Sequence, residues 1–134
     1  YILSLMKSIY IFFFCLLAFS SNAMEKKTTF NKELFDKATS EGKVVIVSSW
    51  IKYCSSCASQ MKVLQKAKNE GGLLDIKFDN IEYFVFDVTN NEIAKLFNVQ
   101  YQTTLLIFKN NNEVYRSIGE TTQDLIYEAL KSSI

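Results

Sequence analysis

Val44-Val45-Ile46-Val47-Ser48-Ser49-Trp50, then Ile51-Lys52-Tyr53, then Cys54-Ser55-Ser56-Cys57, is the most informative segment of the chain. Its first seven residues are an apolar, β-branched run, the pattern of a strand buried on both faces. Two cysteines at the Cys-x-x-Cys spacing can close a small disulfide ring across the first turn of a helix. If the strand feeds straight into that helix, the first sulfur sits at the helix N-terminus. Unpaired backbone N–H groups and the helix dipole there favour an anion, hence a thiolate. An exposed, low-pKa thiolate beside a second thiol is suited to redox exchange.

Upstream of the strand, Asn31 is placed to cap a helix that buries Leu34, Phe35 and Ala38, and Gly42 in Glu41-Gly42-Lys43 ends it in a left-handed conformation. The helix after the strand runs from about Cys54 to Lys68, with Met61, Leu64 and Lys68 on one stripe, and Gly71-Gly72 breaks it. Residues 73–82 are the least legible; Leu73, Leu74 and Ile76 are offered to the core. Tyr83–Val88 reads as a second central strand. Asn91–Phe97 reads as a short helix with Ile93, Ala94 and Phe97 inward. Thr104–Phe108 and Val114–Ile118 are two strands, and the asparagines of Lys109-Asn110-Asn111-Asn112-Glu113 tolerate the positive φ of a hairpin turn. A last helix from about Thr122 carries Leu125, Ile126 and Leu130. The order α-β-α-β-α-β-β-α predicts an α/β domain: a central mixed sheet with helices on both faces.

The first residues do not fit that domain. Lys7, the apolar stretch Ile9 to Phe19, and small residues at Ser21 and Ala23 have the form of a signal peptide cleaved after Ala23. The apolar stretch is shorter than the ~20 residues that span a bilayer. The alternative is an uncleaved anchor, the one way the reading brings the protein to a membrane. Met6 is the expected initiator, with residues 1–5 an over-extended gene start. Cys15 follows Phe12-Phe13-Phe14 and lacks the small residue that a lipidation site needs. The expected division is thus a signal segment, 1–23, and one domain, 24–134. Without Lys7 the 15 basic residues fall to 14, against 14 acidic, so the domain is formally neutral and carries no nucleic-acid-binding patch. Cys54 and Cys57 are then its remaining cysteines, too few for a disulfide scaffold. The chain has no histidine, which excludes common zinc and copper sites and histidine-based catalysis.

These pieces in this order resemble the thioredoxin superfamily, particularly exported thioredoxin-like proteins and the C-terminal domains of thiol:disulfide interchange proteins. The residues that carry the resemblance are Phe30, Ala38 and Glu41-Gly42-Lys43 leading into the strand, Trp50 to Cys57, Phe86-Asp87-Val88-Thr89, Phe97-Asn98-Val99, Thr104 to Asn110, and Ile118-Gly119. The resemblance implies a thioredoxin-like fold, with Cys54 as attacking nucleophile and Cys57 as resolving thiol of a redox-active disulfide, and no cofactor or metal. The other readings of the pair are a structural disulfide and half of a zinc knuckle. Trp50 is expected to pack in the core, and Tyr53 to lie on the docking surface. Gly119 either lets a substrate backbone approach or simply ends a strand.

Two positions depart from the family pattern. Its cis-proline falls at Thr103. A cis bond without proline costs about 2.5–4 kcal/mol, so Gln102–Thr103 is expected trans, with the threonine near the sulfurs. Its buried acid falls at Ser48, which cannot serve as a base for Cys57.

The expected function is an exported thiol:disulfide oxidoreductase acting on protein thiols and disulfides, a reductant or isomerase-like protein rather than a strong oxidant. A membrane thiol transporter would supply its electrons, and a haem-binding CxxCH is one client by analogy. The alternatives are a dithiol metal or Fe–S carrier completed by a second protomer, and a redox-inactive interaction domain.

Overall fold

The computed structural model describes residues 29–69 and 80–133. The elements are α1 (Lys32–Ser40), β1 (Val44–Trp50), α2 (Ser55–Asn69), β2 (Ile81–Asp87), α3 (Asn91–Leu96), β3 (Thr104–Lys109), β4 (Asn112–Ile118) and α4 (Gln123–Ser132). The sheet order is β2-β1-β3-β4. β1 runs parallel to β2, from Val44 opposite Ile81 to Trp50 opposite Asp87, and antiparallel to β3. β3 and β4 form an antiparallel hairpin. The expected element order and mixed sheet are both present.

The alternation of strand side chains divides the core between the two faces of the sheet. Val44 and Ile46 of β1, with Leu105 and Ile107 of β3, pack under Leu64 and Ala67 of α2 and Ile126, Ala129 and Leu130 of α4. Val45 and Val47 face the other way, with Phe84, Phe86 and Leu106, against Phe35 and Ala38 of α1 and Ala94 of α3. Phe30, Phe35, Phe97 and Phe108 pack here at ring-centroid distances of 5.1–5.7 Å, mostly edge to face. β1 is therefore covered on both faces and flanked on both edges, as its apolar run requires.

Local chemistry sets the boundaries. Asn31 Oδ1 accepts the Leu34 N–H at 3.1 Å, and Asn90 Oδ1 accepts the Ile93 N–H at 3.3 Å. Gly42 has φ +74°, as the end of α1 demands. The hairpin turns through Asn110 and Asn111, both left-handed, which matches the twist of the flanking strands.

Several expectations are corrected. Leu34 and Leu125 lie at the solvent edge of their helices, about half exposed. Thr39 and Ala129 complete the buried stripes instead, because small side chains let those helices approach the sheet. Ala67 takes the inward place expected of Lys68, which is only half-buried. β2 starts at Ile81, because the parallel register carries its pairing back to Val44. Thr29, expected in a loose leader, is tied to β2: its N–H donates to Val85 O at 2.8 Å, and its Oγ1 accepts the Val85 N–H at 2.9 Å. The expected signal segment, Gly71-Gly72, Leu73, Leu74 and Ile76 lie outside the described residues. Among the described residues no helix is long and apolar enough to cross a membrane.

Candidate active site

At the end of β1 the chain turns through Ile51, Lys52 and Tyr53, and the Cys54 N–H closes the turn on Ile51 O at 3.3 Å. Tyr53 adopts φ +65°, a left-handed conformation that costs an L-residue roughly 1–2 kcal/mol. The residue is 94% exposed, with the Lys52 ammonium 5.2 Å from the ring centroid. Tyr53 thus lies at the surface, next in the chain to Cys54.

Cys54 then opens α2. Its carbonyl accepts the Ala58 N–H at 3.2 Å, the first bond of the helix, and its Sγ accepts the Cys57 N–H at 3.2 Å. The sulfur thus occupies the place of a capping oxygen, at the positive end of the helix dipole. Cys54 and Cys57 are joined as a disulfide, with Cα atoms 5.3 Å apart. The two sulfurs differ in access: Cys54 is half-buried, and Cys57 is 1% exposed against Met61 and Val85.

Thr103 lies over the pair. Its buried Oγ1 stands 3.0 Å from Cys57 Sγ and 3.7 Å from Cys54 Sγ. It also meets Ser56 Oγ at 3.3 Å, and Ser56 Oγ lies 3.3 Å from Cys54 Sγ. The Gln102–Thr103 bond is trans, as expected. The backbone here is held from several sides. Thr103 O accepts the Gly119 N–H at 3.0 Å, and Gln60 Nε2 reaches it at 3.5 Å. Ser49 Oγ donates to Tyr101 O and accepts the Thr104 N–H, each at 2.9 Å. Gly119 has φ +79°, and a Cβ there would meet nothing within 4 Å, so its conformation accounts for the glycine.

Trp50 packs against Cys57, Met61 and Val85, with its indole Nε1 buried and unpartnered among the described residues. Ser48 is fully buried, and its hydroxyl meets the Tyr83 hydroxyl at 2.9 Å. Burial pushes the Tyr83 phenol well above its ordinary value, with the Ser48 hydrogen bond pulling partly back, so the ring stays neutral.

Sequence reasoning missed Ser56, Tyr83 and Gln60. The Gln60 side chain is fully buried, donates to Glu120 O at 2.9 Å, and leaves its Oε1 unpartnered among the described residues. A polar residue three positions after Cys57, on the stripe of Cys57, Met61 and Leu64, was the signal. Among the described residues no three metal-ligating side chains gather.

A family model described as thioredoxin matches residues 23–132. Thioredoxin from Bacillus subtilis is 29% identical over 101 residues, covering 75% of this chain and 90% of its own. An H-type thioredoxin from Fagopyrum esculentum is 26% identical over 97 residues, 72% of this chain and 78% of its own. Among solved structures, Trxlp from Edwardsiella tarda superposes with a TM-score of 0.65 at 24% identity, covering 74% of this chain and 92% of its own. A mutant thioredoxin from Halobacterium salinarum gives 0.63 at 19% identity, covering 77% and 85%. These two bear on the fold alone. The matched region contains the strand, the paired cysteines and the hairpin together, and with it this chain belongs to the thioredoxin family and is a thiol:disulfide oxidoreductase.

Proposed function

We propose that this oxidoreductase works outside the cytoplasm on protein thiols and disulfides, as a reductant or isomerase-like protein, with Cys54 attacking and Cys57 resolving. The observation that carries the roles is the asymmetry of the two sulfurs. Cys54 Sγ is reachable and faces the Cys57 N–H and two hydroxyls, all able to donate to a thiolate, whereas Cys57 Sγ is buried behind it.

In the reducing direction the Cys54 thiolate attacks a substrate disulfide, a mixed disulfide forms, and one substrate sulfur leaves with the electron pair. Cys57 then attacks Cys54 Sγ and releases the second substrate sulfur. The substrate gains two electrons, and the protein ends as the Cys54–Cys57 disulfide. Tyr53, exposed beside Cys54, is suited to line the substrate chain.

Lys7, the apolar run after it, and Ser21 and Ala23 support export with cleavage after Ala23. Outside the cytoplasm the dithiol must be regenerated, and a membrane thiol transporter is the proposed electron source.

Iodoacetamide labelling of the reduced protein across pH tests the roles. Cys54 should label first, with a pKa below the free-cysteine value of about 8.5. Preferential labelling of Cys57 would overturn the assignment.

A further inference from the structure

In disulfide exchange the proton of the resolving thiol must go somewhere. When Cys57 attacks the mixed disulfide it begins as a thiol, and its proton must leave as the new S–S bond forms. Cys57 is buried, so bulk water does not reach the sulfur directly.

Its neighbours limit the routes. Met61, Val85 and Trp50 offer no base. Tyr83 and Ser48 bond to each other, and the burial that keeps the phenol neutral denies it the role of a base. Three titratable groups on the surrounding elements have partners of their own. The Asp87 carboxylate, at the end of β2, accepts the Thr89 N–H at 2.9 Å and its hydroxyl at 2.7 Å. Glu120, after β4, turns to the Thr122 N–H at 2.7 Å. Lys52 sits over the Tyr53 ring. Among the described residues, one hydroxyl meets both sulfurs, that of Thr103.

We infer that Thr103 is a catalytic residue of the resolving step: its hydroxyl, with that of Ser56, relays the Cys57 proton out of the buried site. A hydroxyl has one proton to give and lone pairs to accept. In the disulfide form Thr103 Oγ1 stands 3.0 Å from Cys57 Sγ and 3.3 Å from Ser56 Oγ, and Ser56 is exposed; once Cys57 is a thiol, its S–H can donate to Thr103 Oγ1 and the Thr103 hydroxyl to Ser56 Oγ. As Cys57 Sγ bonds to Cys54 Sγ, the bond from Cys54 to the substrate sulfur breaks, and that sulfur takes the electron pair. The proton moves from Cys57 to Thr103, the Thr103 proton moves to Ser56, and the Ser56 proton goes to the departing thiolate or to water. Both hydroxyls end as they began. The hydrogen bonds from Gln60 and Gly119 to Thr103 O hold the relay in place.

The inference rests on Cys54 attacking and Cys57 resolving, and the experiment separates the two. The reduced full chain is mixed with dithiobis-nitrobenzoate in a stopped-flow instrument. Release of a first thionitrobenzoate reports attack by Cys54, and release of the second reports resolution by Cys57.

In Thr103→Val, which keeps the shape and loses the hydroxyl, the second phase should slow about tenfold near neutral pH. It should converge on the unmodified rate at alkaline pH, where Cys57 ionises unaided. Thr103→Ser should restore the rate, and Ser56→Ala should slow the second phase with the same pH dependence. Should Thr103→Val not fold, the Ser56 and Thr103→Ser variants still decide. A second phase in Thr103→Val that is unchanged, or slowed equally at every pH, would overturn the relay. A wild-type protein that releases no second thionitrobenzoate would overturn the exchange reading itself.

Discussion

The Cys54 sulfur takes the place of a helix cap, and that one substitution of sulfur for oxygen sets its chemistry. Every donor around it is present before the reaction: the Cys57 N–H from the backbone, and Ser56 and Thr103 from side chains. A thiolate formed there has donors already close at hand. Beneath the pair, the hydroxyls of Tyr83 and buried Ser48 satisfy each other. Tyr83→Phe should therefore cost about 1–2 kcal/mol in urea unfolding, because the buried Ser48 hydroxyl is left unpaired. The same pair predicts a pH effect. A phenol whose folded pKa is raised contributes stability that is complete below its unfolded pKa and is lost as pH rises toward the folded value. Stability of the wild type should thus decline above about pH 10, and Tyr83→Phe should flatten that part of the curve; equal slopes in the two proteins would contradict the buried-phenol account. Cys54, Cys57, Trp50, Tyr53, Thr103 and Gly119 could be picked from spacing and resemblance. The Ser48–Tyr83 pair could not, since it depends on the parallel register, in which Ser48 stands opposite Val85 and Tyr83 is the next residue along the same face.

At the scale of elements, periodicity found every strand and helix among the described residues and misjudged which apolar side chains face in. The i, i+1, i+4 pattern of α1 points Leu34 and Phe35 to adjacent directions, and only one of two such neighbours can lie at the centre of the stripe. Phe35 does, and Leu34 falls at the edge. In α2 the error is of the other kind: Gln60 lies on the buried stripe and spends its amide on Thr103 O and Glu120 O, contacts that need β3 and β4 already in place. Turn chemistry was more legible, because positive φ is a local demand. Asn111→Ala should destabilise the hairpin by about 1–2 kcal/mol, and Asn111→Gly should not, read as shifts in the thermal midpoint. The start of α4 makes a pH-dependent prediction. Glu120 accepts the Thr122 N–H, a bond that holds its carboxyl below the ordinary value of 4.5. A depressed acid contributes stability that is present above its unfolded pKa and lost as pH falls through the folded value. Glu120→Gln should therefore lose part of the stability seen at neutral pH and soften the acid transition below about pH 4.5. Superimposable acid unfolding curves would remove this cap from the account of α4.

Across the whole molecule, the redox direction follows from how the fold divides its favours between dithiol and disulfide. Donors aimed at Cys54 stabilise the reduced, thiolate form and so raise the potential; the Ser56 and Thr103 hydroxyls lift it above what a bare helix N-terminus, the Cys57 N–H included, would give. Against this stands the oxidised state, in which Thr103 Oγ1 and the packing of Met61, Val85 and Trp50 hold the closed pair in a buried site. A reductant or isomerase-like protein requires the balance to fall between the potentials typical of thioredoxin and of protein disulfide isomerase, about −270 and −180 mV. Equilibration of the protein with glutathione buffers should place it in that interval, and a value near −120 mV, that of a strong oxidant, would reverse the proposed direction of electron flow. Thr103→Val then reports how the balance is struck. Loss of one hydrogen bond to the thiolate, worth about 1–1.5 kcal/mol, should lower the potential by roughly 20–30 mV, since 30 mV corresponds to about 1.4 kcal/mol for a two-electron couple. A rise instead would mean that the threonine hydroxyl serves the disulfide more than the thiolate, and that the reducing character lies in the packing around Cys57.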